Sequence, residues 1–135
     1  MGRDERAQVS VVLDASAVLA ILFGETGGDV VASVSQGAIL SAVNAVEVLE
    51  KFVVRRGGTE GDAAVLIARL DINVVPFSNA QALLAAQWKP IFAGRTISLA
   101  DRACLALAMD QALPVLTADR DWAKLDIGVD IRLIR

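Results

Sequence analysis

The chain has 135 residues, the size of one domain, and 55% of them are hydrophobic although only 4% are aromatic. Its net charge of −3 excludes a globally basic nucleic-acid-binding surface. The absence of histidine excludes histidine acid–base catalysis and the usual zinc sites built on His and Cys. A core of Val, Leu, Ile and Ala is typical of parallel strands that helices cover on both faces.

Apolar segments alternate with helical patterns along the chain. We expect a strand over 9–13, helices over 15–23 and 29–36, a strand over 38–41 and a long helix that ends near Gly57. Next come a helix over 59–70, a strand over 72–75, a helix over 78–88 and a loop that contains Pro90 and Gly94. A helix over 98–112, a strand over 114–117, a short helix over 119–125 and a strand over 131–134 complete the chain. This alternation predicts an α/β fold, with a mostly parallel sheet between two helical layers.

No linker or repeat divides the sequence, so we expect residues 1–135 to form one domain, with residues 1–8 as a flexible N-terminal extension. The longest apolar run, 9–23, is too short to cross a bilayer, and no signal-peptide pattern is present. We therefore expect a cytoplasmic location and no membrane partner. The mean hydropathy of +0.53 indicates that another subunit or a partner covers some apolar surface.

Four acidic residues occupy special places among these elements. Asp14 directly follows the first strand, and Glu47 lies in the first turns of the long helix. Asp101 lies in the first turn of the helix over 98–112, and Asp119 follows the strand over 114–117. Because crossovers between parallel strands are right-handed, all four positions fall at the carboxyl edge of the sheet, where α/β proteins bind ligands.

Four carboxylates at one edge repel each other strongly, and without a counter-charge some of them would be driven to protonate. A hard divalent cation removes this conflict, since Mg²⁺ and Mn²⁺ prefer carboxylate oxygen and water as ligands. Such a metal can lower the pKa of a bound water and stabilise charge on a phosphoryl group. The four acids therefore favour phosphodiester hydrolysis over acyl transfer.

Each acid also has a structural interpretation. Asp14 and Asp119 could cap the helices that follow them, and Glu47 could pair with Lys51 or cap together with Asn44. Asp101 could complete a capping box that begins at Ser98. These interpretations are competitive for single residues, but the convergence of all four acids on one edge favours a metal site.

Four segments carry a family resemblance: VLDASAVL at 12–19, NAVEVL at 44–49, SLADRACLA at 98–106 and LTADRDW at 116–122. In this order they resemble the successive motifs of PIN domains, and most of all those of VapC-type toxins. The resemblance implies a three-layer α/β/α fold with a five-stranded parallel sheet. It also implies a Mg²⁺- or Mn²⁺-dependent endoribonuclease that cuts structured RNA such as tRNA or rRNA. Such toxins are typically homodimers, inhibited by an antitoxin whose C-terminal segment lies over the active site.

The resemblance assigns roles to individual residues. Asp14, Glu47, Asp101 and Asp119 match the family's acidic quartet of catalytic metal ligands. Ser16 and Thr117 match the supporting hydroxyl positions, and Asp121 is a second candidate for the last acidic position. Arg95, Arg102 and Arg120 could contact RNA phosphates, or could be surface charges that balance the acids.

Other functions are open to such a chain. It could be a PIN-fold nuclease outside a toxin pair, or a non-catalytic signalling or binding module with an acidic pocket. A receiver-like module is disfavoured, because Asp14 has no acidic neighbour and Val75 is followed by Pro76 instead of a phosphorylatable Asp. A haloacid-dehalogenase-like phosphatase is disfavoured because Ser16 stands where that family needs an acid. The complete quartet argues against a non-catalytic module.

Overall fold

The computed structural model describes residues 10–88 and 97–135. Five parallel strands form its sheet: β1 (Val12–Leu13), β2 (Ile39–Ser41), β3 (Asn73–Val75), β4 (Val115–Thr117) and β5 (Ile131–Leu133). Their spatial order is β3-β2-β1-β4-β5. This parallel sheet confirms the predicted α/β class. The expected N-terminal extension and the loop that contains Pro90 and Gly94 lie outside the described residues.

Six α-helices and one 3₁₀ helix surround the sheet in the described ranges: α1 (Ala15–Leu22), α2 (Gly28–Ala32), α3 (Ala42–Arg56), α4 (Glu60–Arg69), α5 (Asn79–Gln87), α6 (Leu99–Gln111) and η1 (Arg120–Lys124). Buried side chains of α1 to α4 form the core on one face, and those of α5, α6 and η1 form the core on the other. Within the two described ranges, no helix is long and apolar enough to span a membrane.

The central strands are buried on both faces. Leu13, Leu40 and Leu116 point into the core on the α1 side, while Val12 and Val115 point into the core on the α6 side. Successive side chains of a strand alternate between faces, so an uninterrupted apolar run fills both cores at once. This burial explains why the central strands are aliphatic up to their carboxyl ends, where Ser41 and Thr117 stand.

Two predicted elements differ from the structure. The helix expected over 29–36 ends early and spans only Gly28–Ala32. The hydroxyl groups of Ser33 and Ser35 donate to the carbonyls of Val30 and Ala32, an alternative to continued helical hydrogen bonding. The short helix expected over 119–125 is a 3₁₀ helix, η1.

The order in which successive strands are added to the sheet reverses at β1. From β1 the chain adds β2 and β3 on one side, and β4 and β5 lie on the other side. The carboxyl ends of β1 and β4 are therefore the switch point, where a crevice opens because the following segments turn to different faces. Asp14 and Thr117 stand at these two strand ends.

Candidate active site

A pocket of about 320 Å³ lies at this switch point, between α1 and α3. Asp14 reaches it from the end of β1, Glu47 from α3, Asp101 from the first turn of α6 and Asp119 from the segment after β4. Four segments that are distant in sequence thus bring all four sequence-predicted carboxylates to one pocket. Ser16, on the first turn of α1, also lines it.

Asp14 is the most firmly held of the four. Its Oδ1 accepts a hydrogen bond from the backbone N–H of Ala15 at 2.7 Å, so the residue also caps α1. Its Oδ2 accepts from the hydroxyl groups of Ser16 and Thr117, both at 2.8 Å. Burial raises the pKa of Asp14, these three hydrogen bonds lower it in part, and the charge of Asp119 raises it further.

The two hydroxyl groups connect β1 to β4. The Oγ of Ser16 accepts from the backbone N–H of Ala118 at 2.9 Å, and the Oγ1 of Thr117 accepts from the N–H of Asp119 at 3.0 Å. Thr117 is fully buried. Through these bonds the position of Asp14 fixes the start of the segment that carries Asp119.

Glu47 is positioned by a neighbour on its own helix. The Nδ2 of the buried Asn44 donates to Glu47 Oε1 at 3.4 Å and to the carbonyl of Ala100 at 3.0 Å. Asn44 thereby joins α3 to the start of α6, next to Asp101. The cap of α3 is Ser41, so Asn44 and Glu47 are not a capping pair.

The carboxyl group of Asp101 has a pKa well above its ordinary value. Ser98 caps α6 by accepting from the backbone N–H of Asp101 at 3.1 Å, a bond that does not require the Asp101 carboxyl group. Burial, together with the negative charges of Asp14, Asp119 and Glu47, raises the pKa of Asp101 to about 6, although a hydrogen bond from Ser98 lowers it in part. The acidic groups of the pocket therefore repel each other without full compensation.

Asp119 and Asp121 have different surroundings. Asp119 lines the pocket, and its Oδ1 accepts from the backbone N–H of Asp121 at 3.0 Å, which caps η1. Asp121 lies in the first turn of η1, with its Oδ1 3.8 Å from the Nζ of Lys124. Asp119 is thus the acid of this motif that faces the other three.

Two of the three arginines proposed as RNA contacts lie within the described residues. The Nε of Arg102 donates to the carbonyl of Ile97 and its Nη1 donates to the carbonyl of Ala85, so this side chain ties α6 to α5. Arg120 is exposed at the start of η1. Arg95 lies outside the described residues.

Two cationic residues that the sequence reasoning did not assign to the site line the pocket as well. Lys51 and Arg55 follow Glu47 at intervals of four residues on α3. This spacing puts the three residues on one face of the helix, and it was the available signal. The sequence pattern predicts Lys51 as an ion-pair partner of Glu47, but within the described ranges these two residues form no ion pair.

A family model described as "PIN domain" matches residues 11–128. The chain belongs to the PIN-domain family. This membership confirms the resemblance that the sequence motifs carried, and it supports nuclease chemistry. No curated protein sequence matches the chain significantly.

Solved structures share the fold at low sequence identity. A toxin–antitoxin complex from Klebsiella pneumoniae superposes with a TM-score of 0.74 at 15% identity, over 93% of this chain and 98% of the other. A DNA-bound VapBC from Salmonella typhimurium gives 0.73 at 15% identity, over 94% and 99%. VapC20 of Mycobacterium tuberculosis, a Sarcin-Ricin loop cleaving toxin, gives 0.65 at 20% identity, over 89% and 98%.

The donor chemistry of this PIN domain fits a hard divalent cation. The pocket presents four carboxylates, the ligand type that Mg²⁺ and Mn²⁺ prefer, and their charges add to burial in raising the pKa of Asp101. In the part of the chain that the structure describes, no three acidic or thiol groups form a ready-made metal cluster.

Proposed function

We propose that this PIN domain is a Mg²⁺- or Mn²⁺-dependent endoribonuclease that hydrolyses phosphodiester bonds of RNA. The observation that carries the proposal is the pocket itself, which collects Asp14, Glu47, Asp101 and Asp119 from four separate segments. The family assignment supports the same chemistry. A non-catalytic role does not account for four carboxylates kept together at an electrostatic cost.

The four carboxylates are the residues that would hold the cation. A divalent ion held there would supply a water of lowered pKa and a positive charge beside the phosphate. The hydroxyl groups of Ser16 and Thr117 keep the Asp14 carboxylate oriented, and Asn44 does the same for Glu47. Such supporting hydrogen bonds set the orientation of ligands and strengthen metal binding.

Metal dependence and product chemistry test the proposal together. The purified chain should cleave RNA with Mg²⁺ or Mn²⁺ and stop when EDTA is added. Attack by water leaves 5′-phosphate and 3′-hydroxyl ends, whereas attack by the 2′-hydroxyl of the RNA leaves a cyclic phosphate. Full activity in EDTA, or cyclic phosphate products, would contradict the mechanism.

We further propose that the nuclease is the toxin of a toxin–antitoxin pair, with a protein antitoxin as partner and tRNA or rRNA as substrate in the cytoplasm. Similarity to the Klebsiella pneumoniae complex and to VapC20 supports this role. Expressed alone in a bacterium, the chain should arrest growth, and Asp101→Asn should not. Co-expression of a small neighbouring reading frame should restore growth. Normal growth with the parent chain would contradict the toxin role and favour the alternative, a PIN-fold nuclease outside a toxin pair.

A homodimer is the proposed assembly. Val46 and Val54 on α3 and Val65 on α4 are 53%, 84% and 49% exposed, which leaves apolar side chains on the described surface. Burial of such side chains between two subunits would stabilise a dimer. Light scattering at micromolar concentration should therefore report a dimer, and a monomer would contradict the assembly without affecting the nuclease proposal.

A further inference from the structure

One face of α3 carries both signs of charge into the pocket. Glu47, Lys51 and Arg55 are spaced by four residues, so they lie in one row along the helix, and all three line the pocket. Four residues advance an α-helix by about 6 Å. The pocket therefore carries Glu47 at one end, whereas at the other end Lys51 and Arg55 outnumber Glu25, which also lines the pocket.

Arg55 is fixed in place before any ligand arrives. Its Nη1 lies 3.3 Å from Glu25 Oε2, and its guanidinium carbon lies 3.8 Å from the centre of the Phe23 ring. Arg135 also approaches Glu25, at 3.8 Å. One carboxylate thus serves two guanidinium groups, and a positive charge remains beside the pocket. A side chain held in this way loses less conformational entropy when it binds an anion.

Lys51 stands between the acids and Arg55. Its side chain is exposed, and it forms no ion pair with any residue in 10–88 or 97–135. An ammonium group on a flexible stem can follow an anion within a pocket, and lysine is a common phosphate ligand for this reason. Lys51 is therefore the available cation next to the four carboxylates.

We propose that Lys51 and Arg55 form a phosphate-binding subsite that holds the RNA backbone next to the scissile bond. The proposal rests on the proposed nuclease function and specifies how an acidic chain retains a polyanion. The net charge of −3 provides no global attraction, so the attraction must be local. Arg102 does not serve this purpose, since its guanidinium group already binds two backbone carbonyls.

The experiment measures RNA binding separately from cleavage. The full chain carrying Asp101→Asn, which removes cleavage, is titrated with a labelled single-stranded RNA oligonucleotide of mixed sequence in Mg²⁺ at several salt concentrations. Lys51→Gln and Arg55→Gln are then introduced singly into this background. Arg69→Gln is the control, because it removes one positive charge from the exposed end of α4, which leads into the opposite edge of the sheet.

We expect Lys51→Gln and Arg55→Gln each to raise Kd roughly three- to tenfold. We also expect each to reduce the slope of log Kd against log salt by about 0.7, the value for one lost phosphate contact on a single strand. Arg69→Gln should change neither quantity. In the cleavage-competent chain, Lys51→Gln should raise KM while kcat stays near that of the parent.

Three results would contradict the proposed phosphate-binding subsite. Parent-like affinity and salt slope in Lys51→Gln, an equal loss in Arg69→Gln, or no RNA binding by the parent would overturn the subsite. Lys51 is exposed, so its substitution leaves the fold intact even if Arg55→Gln, which loses the contacts to Glu25 and Phe23, does not fold. Lys51-dependent binding without any cleavage by the parent would support the subsite and overturn the nuclease function alone.

Discussion

The two sides of the pocket hold their carboxylates in different ways. On the strand side, at the ends of β1 and β4, Asp14 is buried and accepts three hydrogen bonds, two of them from Ser16 and Thr117. On the helix side, at the start of α6, Asp101 is half-buried, and its pKa is raised to about 6 by burial and by the neighbouring acids. The strand side is ordered by hydrogen bonds, whereas the helix side retains uncompensated charge.

This difference assigns separate tasks to the two sides. Hydrogen bonds to Asp14 offset part of the effect of its burial and fix its direction, so the strand side gives the site its geometry. A bound cation would relieve the repulsion that adds to burial in raising the pKa of Asp101, so we infer that the helix side provides affinity for a positive charge. Substitutions on the two sides should therefore agree in their effect on catalysis and differ in their effect on folding.

The largest expected effect is the loss of catalysis on either side. Asp14→Asn and Asp101→Asn should each lower the cleavage rate at fixed Mn²⁺ by at least about 100-fold, since each removes a carboxylate that we propose as a metal ligand. Initial rates on one RNA measure this loss, and circular dichroism verifies that each variant is folded. Asp126→Asn, an exposed acid outside the pocket lining, is the matched control and should retain the parent rate. A variant of either side with full activity would contradict the assignment of that side.

The next comparison separates two acids of one motif. Asp119 lines the pocket and is tied to Thr117 through its backbone, whereas Asp121 lies in the first turn of η1 near Lys124. Asp119→Asn should therefore lose most of the cleavage activity, because a metal-binding carboxylate must be held tightly in position and Asp119 is the better held of the two. Asp121→Asn should keep a substantial share and lose a little helix stability. The same rate assay distinguishes the two variants, and an inactive Asp121→Asn with an active Asp119→Asn would reverse their roles.

A third comparison contrasts the hydroxyl groups behind the two sides. Thr117→Val preserves shape but removes the hydroxyl that donates to Asp14 and accepts from Asp119. It should lower cleavage by roughly 10- to 100-fold and the free energy of unfolding by about 1 to 3 kcal/mol. Ser98→Ala should cost about 1 kcal/mol, the value of a helix cap, with a smaller loss of cleavage. Urea denaturation and initial rates measure both variants, and equal losses of cleavage would remove the distinction between the sides.

Sequence reasoning predicted the parts of the fold that depend on local pattern. Buried aliphatic runs located the strands, and residues such as Thr59, Ser78 and Ser98 began helices as their side chains predict. The rule that ligands bind at the carboxyl edge was enough to bring Asp14 and Asp119 to one place, because backbone topology alone determines it.

The remaining details depend on tertiary contacts that no local pattern encodes. The direction of Arg102 is set by where the carbonyl of Ala85 lies at the end of α5, and this position results from packing. The early end of α2 depends on two serine hydroxyl groups that compete with the helix. Lys51 and Arg55 line the pocket because α1 packs beside α3, and this tertiary contact cannot be inferred from their spacing from Glu47 alone.

The smallest expected effect concerns stability on the helix side, and it depends on pH. The folded-state pKa of Asp101, about 6, lies above the ordinary value of 3.8, so protonation of this carboxyl group stabilises the fold. That contribution is fully present below pH 3.8 and is lost as the pH rises through about 6. Asn resembles the protonated acid and does not titrate. In EDTA, Asp101→Asn should therefore match the parent in urea denaturation near pH 3.8 and exceed it in unfolding free energy above pH 6. Because Asp101 is partly exposed, solvent screening should limit the gain to about 1 kcal/mol or less. A difference that stays constant across this range would contradict a raised pKa of Asp101 in the folded state.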